Sequence, residues 1–396
     1  MRRLTPFAAA LVLVPLAVLA GGCGGGRLEN PHIHGLGSSL AEIQRKARSE
    51  GSLDLLIRPQ YFERGRAAAF TRQTGCAVTT RNAGSTDELA DLASSGKYDG
   101  VLTTSDQVRR LAAGGDVAPI DFELVPGRRD VFADLKGRTY DTVDGLGYAV
   151  PQGRSANLEV FRTDFLPSDT QSLELIWSPA LHGRVSIYDD PMFLADAAVY
   201  LKQTRPRLHI TIPYELDQAQ FGAALRLVRH AKRHVRTFWQ SATPSGQIAA
   251  FAAGTSIVGI ASQRQIELMR EQDPPVPIEA AKPAEGTTGW VDEWLISSHA
   301  DHPNCMYLWL DYIVSPEANA KVVEVASEAP ASARACDFTT TPTACADLHA
   351  DDPEWWKDVY LWRTPSSECS DTRRDTCKTY EDWQKAWNVL RSPTRR

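Results

Sequence analysis

The chain has 396 residues, of which 43% are hydrophobic and 23% are charged, and its formal net charge at pH 7 is −6. This length exceeds one ordinary hydrophobic core, so two domains are expected, and the ordinary composition excludes a largely disordered chain. The weak acidity excludes a basic surface for nucleic acid or for anionic lipids.

Residues 1–23 have the organisation of an export signal. Arg2 and Arg3 precede an apolar run from Phe7 to Ala20, and small residues then lead to Cys23. A charged start, a short apolar core and small residues make up a secretory signal, and about 14 apolar residues fall short of the roughly 20 that span a bilayer. The cysteine makes the segment resemble a bacterial lipoprotein signal, so we expect an exported chain held at the outer face of the cytoplasmic membrane by a lipid on Cys23. An ordinary secretory signal cut nearby is the alternative.

The next part of the chain predicts a tether and a first α/β unit. Residues 24–39 are rich in glycine and lack apolar periodicity, which indicates a flexible tether. Strands are predicted at 53–57, 77–80 and 98–102, and helices at 39–49, at 65–72, after a capping box at Ser85 and after Ser105 as N-cap. This alternation predicts a mostly parallel sheet covered by helices.

A second α/β set follows residues 145–151. Strands are predicted at 185–188 and 256–260, and helices after residue 190, over 216–234 and over 303–313. Asp190 is placed as an N-cap with Pro191 at the first helical position, where the missing N–H costs nothing. Residues 351–390 hold five of the ten tryptophans, so this segment is predicted to pack onto the body of the protein.

Six cysteines remain when Cys23 is set aside, and export favours their oxidation to disulfides. Six cysteines allow fifteen connectivities, of which the favoured one closes two short loops and leaves one long-range link. The favoured pairs are Cys336–Cys345, Cys369–Cys377 and Cys76–Cys305. Other pairings stay open at this point. A zinc site is the rival interpretation, but the sequence has neither CxxC nor HxxxH-plus-cysteine spacing.

Six segments between residues 50 and 335 occur in a characteristic order and spacing. They are 58–61 (RPQY), 97–101 (KYDGV), 147–151 (GYAVP), 188–191 (YDDP), 285–292 (EGTTGWVD) and 304–309 (NCMYLW). Taken together, they resemble the extracellular solute-binding proteins of ABC importers, in the spermidine/putrescine branch.

The resemblance implies a two-lobed α/β fold of the periplasmic-binding-protein type II, with mixed sheets flanked by helices. The chain would cross between lobes twice, near Pro151 and near Trp290, with 40–152 plus 291–336 in one lobe and 153–290 plus 337–396 in the other. The lobes would close on a solute in the cleft between them. The implied partners are a small solute and an ABC permease and ATPase complex. The receptor itself is expected to be a monomer.

A polyamine needs carboxylates for its ammonium ends and aromatic faces for its methylene stem. The resemblance places candidate ligand-binding residues at or beside the family's pocket positions: Arg58, Tyr61, Thr104, Asp106, Asp190, Trp290, Asp292 and Glu328. Trp290 and Asp292 are two residues apart in a predicted strand, so the ring and the carboxylate are expected to face one cavity. A plain helix cap is the alternative role for Asp190, and core packing is the alternative for Trp290.

Three positions depart from the family pattern. Arg58 and Ser262 stand where aromatic rings are expected, and Phe193 replaces an acidic residue one helical turn after Asp190. An arginine would repel a dication unless it were paired, and Asp106 is the candidate partner. Because arginine also binds carboxylates bidentately, a zwitterionic or anionic solute, or a shorter amine, is the alternative ligand.

An exported hydrolase and a surface sensor or adhesin are the alternatives from other classes. The sequence has no GxSxG nucleophile elbow and no HExxH, and residues 145–147 lack the third glycine of a dinucleotide loop. The adjacent Asp189 and Asp190 do not suit a glycosidase, whose carboxylates face each other across the substrate. The prediction is therefore a binding protein with no catalytic residue, metal or cofactor.

Overall fold

The computed structural model describes residues 33–58, 62, 64–167, 171–239, 245–371 and 376–392. The predicted signal with Cys23, most of the predicted tether and the candidate Tyr61 lie outside the described residues.

Strands and helices alternate along most of the described chain. The strands are β1 (Ser52–Ile57), β2 (Ala77–Asn82), β3 (Gly100–Thr104), β4 (Val117–Ala118), β5 (Thr142–Val143), β6 (Leu146–Gly147), β7 (Val150–Ala156), β8 (Leu158–Arg162), β9 (Val185–Tyr188), β10 (Val235–Trp239), β11 (Val258–Ala261), β12 (Ile278–Ala281), β13 (Thr287–Ser297), β14 (Ala329–Pro330) and β15 (Val359–Leu361). The α-helices are α1 (Leu40–Glu50), α2 (Arg64–Thr74), α3 (Thr86–Ala93), α4 (Ser105–Gly114), α5 (Glu174–Trp177), α6 (Phe193–Thr204), α7 (Gln218–Ala231), α8 (Ser245–Ala252), α9 (Gln263–Arg270), α10 (Pro303–Ile313), α11 (Pro316–Ala326), α12 (Ala344–Asp347), α13 (Pro353–Trp356) and α14 (Tyr380–Arg391).

Two mixed sheets, each covered by helices, form two lobes. The larger sheet has the order β14-β7-β13-β3-β1-β2, with β4 and β15 also paired to β13, and the smaller has the order β10-β9-β11-β8-β12. β1 pairs in parallel with both β2 and β3, as the alternating pattern predicts, whereas β13 runs antiparallel to β3 and β7. The predicted two-lobed α/β fold is confirmed.

The chain passes between the two sheets at two places. β7 of the larger sheet leads through Asn157 directly into β8 of the smaller one, and the chain returns between β12 and β13. β7 and β13 pair along their length, from Gly289 opposite Ala156 to Trp294 opposite Val150. The lobe boundaries expected from the sequence, at 152/153 and 290/291, fall within these two long strands of the larger sheet.

Several element ends differ from the sequence expectation because side chains make other bonds. Ser105 is the first residue of α4 and not its N-cap, since its hydroxyl accepts a hydrogen bond from the Val291 backbone N–H at 3.3 Å. α6 begins at Phe193, and the Asp190 carboxylate accepts from the Met192 backbone N–H at 2.8 Å, so it caps the preceding turn. The helix expected over 216–234 runs from Gln218, behind the capping residue Asp217, to Ala231.

The three favoured disulfides are confirmed. Cys76 and Cys305 are both fully buried in the core of the larger lobe, where their bond ties the chain just after α2 to α10. Cys336–Cys345 and Cys369–Cys377 close short loops of the C-terminal part. No helix in the described ranges has both the length and the apolar character needed to cross a bilayer.

The C-terminal segment contacts both lobes. β15 adds to the larger sheet beside β13, with Thr287 opposite Val359. Gly289 allows this packing, because a Cβ there would lie 2.5 Å from the Ser155 carbonyl oxygen and 2.8 Å from Val359 Cγ1. α14 instead packs on the smaller lobe, where Trp383 is fully buried and its ring lies 5.9 Å from that of Phe221.

Candidate ligand-binding site

A cavity of about 760 Å³ lies between the two lobes. The larger lobe contributes residues near the ends of β1 and β3, among them Arg58 and Asp106, and the smaller lobe contributes the end of β9 and Trp239 on β10. The C-terminal segment supplies a further wall. Parallel strands that end at one edge bring these side chains together, as is usual for ligand sites of α/β sheets.

Most of the predicted ligand-binding residues line this cavity. Those at its surface are Arg58, Thr104, Asp106, Asp190, Trp290 and Glu328. Asp292 is fully buried and is not among the lining residues. Asp190 lines the cavity and caps a turn, but the expectation that it is the N-cap of the following helix is wrong, because α6 begins at Phe193.

Arg58, which lines the cavity, pairs with the buried Asp292. Arg58 Nη2 donates to Asp292 Oδ1 at 2.7 Å, whereas the sequence suggested Asp106 as its partner, and the Arg58 charge also lowers the pKa of Asp106. Burial raises the pKa of Asp292, and the adjacent Arg58 charge opposes this shift. Of the two residues expected to face one space, Trp290 lines the cavity, whereas Asp292 is fully buried and paired with Arg58.

A second carboxyl group, Glu328, lies beside this ion pair. It accepts a hydrogen bond from Trp290 Nε1 at 3.0 Å and also hydrogen bonds with Asp292. Burial, followed by the Asp292 charge, raises the pKa of Glu328 well above its ordinary value. The raised pKa favours the protonated form of Glu328, which can donate to the Asp292 carboxylate. The pair then carries one negative charge, which balances Arg58.

Asp106 provides another acidic group at the cavity surface. Burial raises its pKa, while hydrogen bonds from Thr104 and Gln107 lower it. Its carboxyl oxygen Oδ1 is buried and makes no hydrogen bond within the described residues. A cationic group bound in the cavity would supply the partner that this oxygen lacks.

A row of four aromatic rings lines the cavity next to these carboxyl groups. The ring centroids are 5.5 Å apart for Trp290 and Trp362, 5.8 Å for Trp362 and Tyr188, and 5.9 Å for Tyr188 and Trp239. Trp290 was predicted from the sequence, whereas the other three rings were missed. Tyr188 begins the YDDP segment, and the tryptophan-rich composition of 351–390 was the available signal for Trp362.

Residues 65–358, which are nearly three quarters of the chain, match the family described as bacterial extracellular solute-binding protein. The chain belongs to this family. The solute-binding protein is 22% identical over 268 residues to spermidine/putrescine-binding periplasmic protein 1 of Haemophilus influenzae, and the match covers 66% of this chain and 70% of the relative.

Solved structures of similar fold include the TpPotD lipoprotein of Treponema pallidum. Its TM-score is 0.67 at 18% identity, with 86% of this chain and 99% of that chain covered. A second is the periplasmic binding protein MotA of A. tumefaciens B6 in complex with glucopine. Its TM-score is 0.64 at 13% identity, and the match covers 86% of this chain and 100% of that chain. These likenesses support the two-lobed fold. The matched family and the Haemophilus influenzae relative are solute-binding proteins, so this chain is a solute-binding protein and not an enzyme.

Two departures of the solute-binding protein from the polyamine branch have structural reasons. Ser262 lines the cavity, but its hydroxyl accepts from the Gln265 backbone N–H and forms the capping box of α9. Phe193 is fully buried, and its ring contacts Tyr188 edge-on at 5.3 Å, so it supports an aromatic wall from behind. The acidic residue of the family pattern is thus replaced by a packing residue.

Proposed function

We propose that this solute-binding protein captures a small organic amine of the polyamine class, such as spermidine or putrescine, and delivers it to an ABC permease. The observation that carries the proposal is the row of aromatic rings directly beside Asp106 and Glu328 in one cavity. Aromatic faces attract ammonium groups and cover methylene chains, and each cation–π contact is worth about 0.5–2 kcal/mol. The name of the Haemophilus influenzae relative supports the same class.

The charges in the cavity are compatible with an amine despite Arg58. Its guanidinium is already paired with Asp292 at 2.7 Å, and only 13% of its side chain is exposed. An entering ammonium group therefore meets a balanced ion pair and the acidic Asp106 and Glu328. Because burial and the Asp292 charge raise the pKa of Glu328, an ammonium beside it would favour loss of a proton from its carboxyl group.

A zwitterionic or carboxylate solute is the second candidate. It is favoured by one observation, the presence of Arg58 at the cavity surface, because a guanidinium binds carboxylates in a bidentate manner. In this arrangement the amine end of a zwitterion would lie at the rings and its carboxylate would lie against Arg58.

The rest of the proposal concerns where the receptor works. A lipid on Cys23 would hold it at the outer face of the cytoplasmic membrane, near the permease and ATPase complex, and it would work as a monomer. A mature protein without Cys23 modification, found free in the medium, would contradict the anchor while leaving solute binding untouched.

The test is a thermal-shift and calorimetry panel of di- and polyamines, amino acids, opine-like zwitterions and dicarboxylates. A ligand that binds only the folded protein raises the midpoint of unfolding, so spermidine or putrescine should raise it most. For the amine that binds, calorimetry in two buffers of different ionisation enthalpy should report proton release from Glu328. Stabilisation by carboxylates or amino acids alone would replace the amine proposal by the second candidate.

A further inference from the structure

One face of α14 forms a wall of the same cavity. The lining residues Tyr380, Gln384, Trp387, Asn388 and Arg391 are spaced by four, three, one and three positions along the helix. Residues at such spacings share one face of an α-helix. The helix therefore presents a continuous surface toward the space where a solute binds.

Contacts on both lobes hold this helix in place. Trp383 and Leu390 are buried in the core of the smaller lobe, and Trp387 Nε1 donates to Asp189 Oδ1 at 3.0 Å. On the opposite side, the guanidinium of Arg110 on α4 lies 5.0 Å above the Tyr380 ring. The cavity-facing side chains are consequently carried on a fixed element and not on a loose end.

The helix face adds polar groups to the aromatic residues Tyr380 and Trp387 that it also carries. Gln384 and Asn388 are amides that both donate and accept hydrogen bonds, and the charge of Arg391 is paired with Asp189 at 2.7 Å. Gln384 and Asn388 suit a hydrogen-bonding group of a solute, whereas Tyr380 and Trp387 supply apolar area. The helix also lies after residue 358, where the family match ends.

We infer that α14 is a second recognition surface of the solute site, which selects solutes that place a hydrogen-bonding group against Gln384 and Asn388. This inference rests on the proposed function in one respect only: the aromatic rings and the carboxyl groups are taken to bind the amine end of the solute. Gln384 and Asn388 are the specificity-determining residues. Solutes that reach α14 gain two hydrogen bonds that shorter or alkyl-ended analogues do not make.

The experiment compares the full mature protein with the variant Gln384→Ala/Asn388→Ala. The matched control is Lys385→Ala/Val389→Ala, because both residues are exposed, lie on α14 and are not at the cavity. Each protein is titrated by calorimetry with the tightest-binding solute of the panel and with its analogue in which the polar group placed against Gln384 and Asn388 is replaced by methyl. Circular dichroism checks that each variant is folded.

The expected result is a loss of about 5- to 100-fold in affinity for the polar-ended solute in the amide variant, as two hydrogen bonds imply, and a change under about twofold for the methyl-ended analogue. The control should change neither affinity. Equal losses for both solutes, no loss for either, or the same loss in the control would overturn the inference.

The two proposals fail in different ways. If the tightest-binding solute contains no amine, the proposed function is refuted, but the α14 comparison proceeds with that solute and its methyl-ended analogue. If amines bind and the amide variant discriminates as well as the natural protein, the proposed function stands and α14 has no recognition role.

Discussion

Arg58 and Asp292 form an ion pair at 2.7 Å across the floor of the cavity, although 234 residues separate them in the sequence. The pair joins the end of β1 to the middle of β13, and Glu328 adds a hydrogen bond to Asp292 from the side. It therefore contributes both to the stability of the larger lobe and to the charge that a solute meets.

Replacement of Arg58 by methionine should strongly destabilise the protein. Asp292 would remain fully buried without its counter-charge, and loss of one partner of a buried pair costs about 3–5 kcal/mol. The double variant Arg58→Met/Asp292→Asn should recover much of this loss, because it removes both charges. Urea unfolding of the two single variants and the double variant measures the coupling, and additive losses would show that the pair does not act as a unit.

Replacement of Glu328 by glutamine should weaken amine binding by about 1.5–3 kcal/mol, the range for a hydrogen bond to a charged group. The glutamine amide would keep an acceptor for Trp290 Nε1, so the ring should stay in place. The variant should also abolish the proton release that accompanies binding. Calorimetry measures both effects, with Glu324→Gln on α11 as the control, since Glu324 pairs with Lys321 away from the cavity. Unchanged affinity would remove Glu328 from the site.

Removal of the Cys76–Cys305 disulfide should lower stability more than removal of Cys369–Cys377. The first bond spans 229 residues and the second spans 8, and in the chain-entropy model the longer loop contributes about 5 kcal/mol against roughly 2.5 kcal/mol. Replacing both cysteines of one disulfide by serine gives one variant for each bond. Thermal unfolding of the two variants shows which bond contributes more to stability. A larger loss from the short loop would mean that native contacts, and not loop entropy, dominate.

Stability should fall between about pH 4 and pH 7 because of Asp196. Burial raises the pKa of Asp196 to about 7 in the folded protein, although the Tyr188 and Thr288 hydroxyls donate to it. The unfolded chain has an aspartate pKa of about 3.9, so it loses its proton first as the pH rises, and the free energy of unfolding declines until about pH 7. Below pH 4 the group is protonated in both states and contributes no pH dependence.

The variant Asp196→Asn removes this titration. As the pH rises from 4 to 8, the free energy of unfolding of the variant should increase relative to that of the natural protein by on the order of 2–4 kcal/mol. Urea unfolding at a series of pH values in that window measures the difference. Parallel profiles for the two proteins would show that Asp196 does not titrate there.

The fold was predictable because it is encoded locally and repeatedly. Apolar strands alternate with capped helices, and the Ser85 cap and the 303–313 helix are present as the sequence indicates. Ends such as Ser105 and Asp190 were not predictable, since their polar atoms bond to Val291 and Met192 in ways that only the folded chain brings about.

The site was predictable only in part. Residues in the recognised segments, such as Trp290 and Asp106, do line the cavity. The surroundings of Asp292 were not predictable, because the two-residue period of a strand predicts which face a side chain takes, but not that Arg58, just after β1, pairs with it. The contribution of Trp362 and α14 to the cavity was also missed. The tryptophan content of this segment predicts that it packs on the protein, but not which surface it packs against.

The position of β15 and α14 after all other described elements has a consequence for the maturation of the receptor. These residues are synthesised after the other described elements, and Trp362 and the cavity-facing residues of α14 complete the walls around the solute. A chain that has emerged only as far as the preceding elements therefore lacks a finished pocket, and the solute cannot serve as a scaffold for their folding. Recognition begins only once α14 has docked.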